Sequence, residues 1–228
     1  MMATMHPFGS NWVNELLLLT AGFFLLCSFG LIAAAQVLGC LRIYVFQSLL
    51  LAVSAGLLAF AEGLRELLIV AVMAIVAKVI LLPWLLRRTA RKSMMARREV
   101  QQVINVPTSL LIALALSFLA YFFTAPLLEG ASGAARCNLP VGFAACLIAI
   151  YTITVRREAL PQMLSLLAIE NGAFYAGIGI APTFPLIGEL AAIFDVLMIV
   201  LVLGILSQEI HVVAGSTKVG SLSELREV

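Results

Sequence analysis

Charge is what this sequence has least of. Asp, Glu, Lys and Arg make up 11% of its 228 residues, against roughly a quarter in a soluble domain, and aspartate occurs once, at Asp195. Histidine occurs only as His6 and His211, near opposite termini. The cysteines, Cys27, Cys40, Cys137 and Cys146, form no CxxC pair and have no histidine at ligand spacing. Zinc, haem and iron–sulfur ligation by this chain alone are therefore not expected, and the thiols read as small buried apolar groups. A Ser/His/Asp grouping, a Walker loop and GxGxxG are all missing, which argues against covalent catalysis and nucleotide binding. The opening MMATMHPFGSNWVNE lacks the basic stretch of a secretory signal, so the first apolar run is expected to remain as a span.

What fills the chain instead is hydrocarbon. Its mean hydropathy is +1.11, and several runs reach the roughly 20 apolar residues that cross about 30 Å of bilayer as a helix. The sequence predicts an all-α integral membrane protein with seven transmembrane helices, at 15–36, 43–61, 67–87, 107–128, 138–155, 160–181 and 185–207. One bundle uses the whole length and leaves no room for a large soluble domain. In a seven-span zigzag, Arg42, Arg87, Arg88, Arg91, Lys92, Arg97, Arg98, Arg156, Arg157, Lys218 and Arg226 fall on one side, and only Arg65 and Arg136 on the other. The positive-inside rule then puts the amino terminus outside and the carboxyl terminus in the cytoplasm. The basic stretch ARKSMMARREVQQVINVP reads either as a topology-fixing loop or as a short helix lying on the membrane surface. It carries no aromatic interleaving, so nucleic acid is not an expected partner.

Four charges interrupt the apolar runs. Glu170 and Asp195 lie near the middle of the last two spans, Glu189 lies nearer the end of the last one, and Lys78 sits well inside the third. An ionised group at the bilayer centre costs roughly 2.5 to 3.5 kcal/mol even on a lenient scale, so such residues face a protein interior or a wet path. A proton pathway through Glu170, Asp195, Lys78 and Glu189 is the functional expectation. The competing expectation is a fixed ion pair in which Lys78 neutralises an acid on an adjacent helix or partner subunit; its stem can also snorkel towards Arg87. Pro83 is expected to free the Val79 carbonyl beside Lys78. Gly172, Ala173, Ala176 and Gly177 supply small-xxx-small spacing for close helix approach. Gln47, Ser48 and Ser54 are candidates to line the same interior, although isolated hydroxyls and amides in spans are more often helix-packing contacts, and Trp12, Trp84, Tyr44 and Tyr121 read as interface anchors.

An offset of 117 residues superposes spans two and three on spans six and seven, bringing Ser48 onto Ser165 and Lys78 onto Asp195. This register suggests two parallel three-helix units joined by a connector helix. The divisions are 1–106, with the basic connection; 107–130, the connector; 131–210, the second unit; and 211–228, a cytoplasmic tail.

The stretch LLAIENGAFYAGIGIAPTFPLIGELAAIFDVLMIVLVLGIL resembles component E of the hydrogenase-4 and formate-hydrogenlyase type membrane complexes. Those proteins are similar to the K (4L) subunit of respiratory complex I and to the C subunit of multisubunit sodium/proton antiporters. The resemblance is best over spans five to seven. Its most specific element is Glu170-Asn171-Gly172 followed by Glu189 and Asp195. Glu170 matches the first of two mid-membrane glutamates of the K-subunit family by position. Asp195 matches the second in place of a glutamate and at shorter spacing, with Glu189 the alternative. The resemblance implies a non-catalytic subunit of an oxidoreductase complex in a bacterial inner membrane. It also implies antiporter-like and other membrane subunits as partners, with the metal centres of a nickel–iron hydrogenase on other chains. A passive assembly role and a place in a multisubunit cation/proton antiporter are the alternatives.

Overall fold

The computed structural model describes residues 10–89, 102–129 and 133–180, and these are helical almost throughout. The helices are α1 (Ser10–Ala33), α2 (Val37–Glu62), α3 (Arg65–Ala74), α4 (Leu82–Thr89), α5 (Val106–Thr124), α6 (Gly133–Val155) and α7 (Ala159–Ile180). A π-helical segment, Ile75–Leu81, joins α3 to α4 without a break, and a 3₁₀ turn, Ala125–Leu128, closes α5. Apolar runs this long become helices in a bilayer because only an internally bonded backbone survives without water.

Among the described residues, six helices are long and apolar enough to cross a membrane: Trp12–Ala33, Val37–Glu62, Leu67–Trp84, Val106–Leu128, Arg136–Val155 and Leu160–Ile180. The protein is a multi-pass membrane protein, all-α among the described residues. The seventh span expected at 185–207, with Glu189 and Asp195, lies outside the described residues, as do 90–101 of the basic connection and the 211–228 tail.

The second helix starts six residues earlier than its apolar run implied, at Val37 rather than 43. Treating Arg42 as a boundary caused the difference. Its side chain lies on the exposed face of α2, so the helix carries the charge without burying it. At the other end of α2, Gly63 adopts φ 69° and stops the helix, a left-handed cap that a Cβ would strain.

Helix α2 lies at the centre, against α1, α3, the π segment and α7, while α6 packs on α1, α5 and α7. Helix α5 is peripheral, with most of its span exposed. The α1–α2 and α6–α7 turns meet at one end of the bundle, the basic end. There Arg156 is buried, and its Nη2 donates to the carbonyls of Leu31, Ile32 and Ala34 at 2.7, 2.9 and 3.0 Å. These are carbonyls at and just past the carboxyl end of α1, where helical partners run out and a cation is favoured. Burial lowers the Arg156 pKa from the usual guanidinium value, against the opposing pull of Cys40 and Glu158. Gln102 Nε2 donates to the same Ile32 carbonyl at 2.7 Å, and the Val103 N–H to Val155 at 3.0 Å.

Beneath this clasp lies an apolar cluster that includes Leu31, Val37, Leu41, Leu86, Leu164 and Leu167. Tyr44 belongs to it and is fully buried, so it is not the interface anchor its place near a span end suggested. It points along the inward face of α2. Trp12, Trp84 and Tyr121 are exposed, as anchors should be.

Candidate functional site

Two helices and one irregular segment build the site. Helix α7 carries Glu170 near its middle, and α2 carries Ser48. The π segment carries Lys78. Pro83 has no N–H to return to Val79, and ahead of it the helix widens: the Leu82 N–H reaches back five residues to Ala77. The sequence implied a gap in an α-helix here; the chain answers with a π turn, a form frequent at functional sites.

Lys78 points inward rather than towards Arg87. Its Nζ donates to Glu170 Oε1 at 3.0 Å and to Asn171 Oδ1 at 3.2 Å, and it lies 4.9 Å from the centroid of the Phe174 ring. Both charged side chains are about 95% buried. Asn171 passes the contact on, its Nδ2 donating to Ser48 Oγ at 2.9 Å. Lys78, Glu170, Asn171 and Ser48 thus form one bonded set across the third, sixth and second spans.

Close helix packing keeps this set from lipid. A Cβ added at Gly172 would lie 2.8 Å from both Cys146 Sγ and the Gly142 carbonyl. One added at Gly142 would lie 2.6 Å from the Gly172 carbonyl and 2.8 Å from Ala176 Cα. Glycine at both places lets α6 and α7 touch backbone to backbone. Of the four small residues expected to act this way, Gly172 and Ala176 do. Ala173 is exposed, and nothing lies within 4 Å of a Cβ built on Gly177.

Further polar groups follow the same interior. Gln47 Nε2 donates to Ser28 Oγ at 3.0 Å, and Asn138 Nδ2 to Ser54 Oγ at 3.4 Å. The Tyr175 ring stacks on Phe24 at 4.1 Å, and its hydroxyl faces Thr20 and Ser54 without closing a hydrogen bond. Gln47, Ser48 and Ser54 are all buried in helix contacts, and of the three only Ser48 joins the set that holds the charged pair. Of the four acid or base positions singled out in the sequence, Lys78 and Glu170 meet; Glu189 and Asp195 lie outside the described residues. Sequence reasoning used Arg156 only for orientation and Asn171 only in the resemblance, and passed over Asn138; the bonds these three side chains make were not foreseen. The signal for the two asparagines was available, since an amide inside an apolar span needs a partner much as a charge does.

No family model matches this chain, and no solved structure matches it. It is 30% identical over 207 residues to "Uncharacterized protein Rv0085" of Mycobacterium tuberculosis, a match that covers 91% of this chain and 94% of that protein. At that identity and coverage the chain belongs to the same family as Rv0085.

Proposed function

We propose that this chain is a non-catalytic membrane subunit of a redox-driven complex of the hydrogenase-4 or complex I type, and that Lys78 and Glu170 are its proton-exchange pair. The observation that carries the reading is the buried 3.0 Å contact between them. Moving one proton from Lys78 Nζ to Glu170 Oε1 converts an ammonium and a carboxylate into an amine and a carboxylic acid. Net charge stays at zero in both forms, so the interior accommodates either. The Asn171 amide can accept from the nitrogen in both forms while its own N–H stays on Ser48. A proton arriving from one side and leaving to the other then needs only this pair and an acid or water beyond it. Glu189 and Asp195, on the expected seventh span, are the further acids in this proposal. The basic end faces the cytoplasm of a bacterial cell, and antiporter-like subunits are the partners; a place in a multisubunit cation/proton antiporter uses the same pair.

One observation favours a second reading. The pair is held at bonding distance among tightly packed helices, which suits a fixed link that registers the third span against the sixth. A double substitution, Lys78→Met with Glu170→Leu, separates the two. Replacing a buried pair by apolar groups of similar volume is often neutral or stabilising, so the chain and its co-purifying partners are expected to assemble. Proton uptake into vesicles containing the purified assembly should then be lost. Normal uptake with normal assembly refutes the exchange role and leaves the fixed link.

A further inference from the structure

Arg42 is shared by two clefts on opposite flanks of α2. Between α2 and the π–α4 stretch, a cleft of about 320 Å³ is lined by Arg42 with Leu41, Val45, Val79, Ile80, Pro83 and Trp84. Between α1 and α2, a cleft of about 340 Å³ is lined by the same Arg42 with Phe23, Leu26, Cys27, Ile43 and Phe46. Among the described residues the guanidinium is the one charged group in either cleft, and no described carboxylate lies within ion-pair distance of it.

Depth matters as much as composition. Arg42 is five residues past the start of α2, about 7.5 Å along the axis at 1.5 Å per residue. Trp84, exposed beside it, is of the residue type enriched at headgroup level. From this level both clefts run deeper. Phe23 is seven residues further into the bundle than Gly30, which lines the same cleft, a descent of about 10 Å along α1. Val79 lies one helical turn deeper than Pro83.

A single cation at headgroup depth between two apolar clefts has the outline of a molecule with one anionic phosphate and two hydrocarbon chains. We infer that Arg42 and its clefts bind one anionic diacyl phospholipid of the leaflet at the basic end. Its phosphodiester lies on the guanidinium fork and one acyl chain enters each cleft. Arginine suits the task because its planar donors match a phosphate two at a time. With no acidic side chain among the described residues of either cleft to receive an ammonium, a choline headgroup gains nothing in return. The inference is independent of the proton-exchange reading.

Native mass spectrometry of the full chain in detergent, titrated with phosphatidylglycerol and phosphatidylcholine of identical acyl chains, tests it. The wild type should retain one phosphatidylglycerol, preferred about fivefold, as for one interfacial cation. Arg42→Gln should bring the two lipids level, and Arg42→Lys should keep part of the preference. Ile80→Trp fills one cleft from an exposed position; it should weaken both lipids and leave the preference intact. Equal binding of the two lipids by the wild type, or an undiminished preference in Arg42→Gln, overturns the inference. So does displacement of phosphatidylglycerol by an equal amount of glycerol phosphate, which would make Arg42 a plain anion site. If the wild type shows no preference and Ile80→Cys cross-links to a cysteine placed within 185–207, the clefts belong to the chain's own last apolar run. Should Arg42→Gln purify poorly, the wild-type comparison with Arg42→Lys and Ile80→Trp still decides the matter.

Discussion

The basic end and the middle of this bundle use polar side chains in opposite ways. Near the basic end they bond to backbone: Arg156 to three carbonyls ending α1, Gln102 to Ile32, Gln162 to Arg156 and Ser165 to Pro161. The described exception, Tyr151 to Ser109, reaches out to peripheral α5. In the middle, beside backbone contacts such as Ser28 to Phe24 and Cys146 to Ile169, side chains bond to one another: Lys78 to Glu170 and Asn171, Asn171 to Ser48, Gln47 to Ser28. A backbone carbonyl neither titrates nor moves, so bonds to it fix helix ends. Bonds between side chains, two of them ionisable, can be redistributed without unwinding a helix. Bonds to backbone are concentrated in the first region and contacts between ionisable side chains in the second.

Substitutions can break that contrast, and the largest effect is expected where the middle is tightest. Gly142→Leu drives a side chain into the backbone of Gly172 and Ala176, atoms that cannot swing aside. Its cost should exceed the about 1–3 kcal/mol of ordinary overpacking, seen as loss of monodisperse protein on size-exclusion chromatography. Survival of this variant would mean that the bonded set is not shielded by helix contact.

Next comes Lys78→Met alone, which breaks the buried pair by removing its cation and should cost about 3–5 kcal/mol, measured by thermal unfolding in detergent. The sharper observation is rescue: adding Glu170→Leu should return most of it. Leu164→Ala in the apolar cluster should cost about 2–5 kcal/mol, and no partner substitution in the charged pair should rescue it.

Lys78 and Glu170 were legible from sequence because an ionisable residue inside an apolar run has few harmless explanations. Their pairing was available only as one alternative among several, since 92 residues separate them and helix rotation decides which faces meet. Arg42 misled for the converse reason: a charge marks a span boundary only when its side chain has nowhere to go. Tyr44 misled because nearness to a span end says nothing about which face a ring occupies. The six described spans themselves were plain, length and hydropathy sufficing.

Smaller effects probe the basic end. Arg156→Gln keeps one or two donors and loses the charge; about 1.5–3 kcal/mol is expected from the loss of charged hydrogen bonds, with Arg156→Lys intermediate. If Arg156→Gln impairs proton uptake while leaving stability unchanged, the division between the two regions fails. The smallest stability effect belongs to Ser48→Ala, about 1 kcal/mol for one neutral hydrogen bond. Its effect on proton uptake should be the larger one, since it removes the only described partner of the Asn171 amide N–H.

The Arg156 clasp also sets a timetable for biogenesis. The carbonyl of Leu31 receives its guanidinium from a residue 125 positions later. At roughly 5–20 residues per second, a ribosome takes about 6 to 25 s to supply it. Throughout that interval the trailing end of the first helix holds acceptors whose final donor has not been made, and water or lipid headgroups must serve them. The first hairpin is therefore expected to wait at the interface, its turn still wet, until the sixth helix delivers the arginine and closes that end of the bundle.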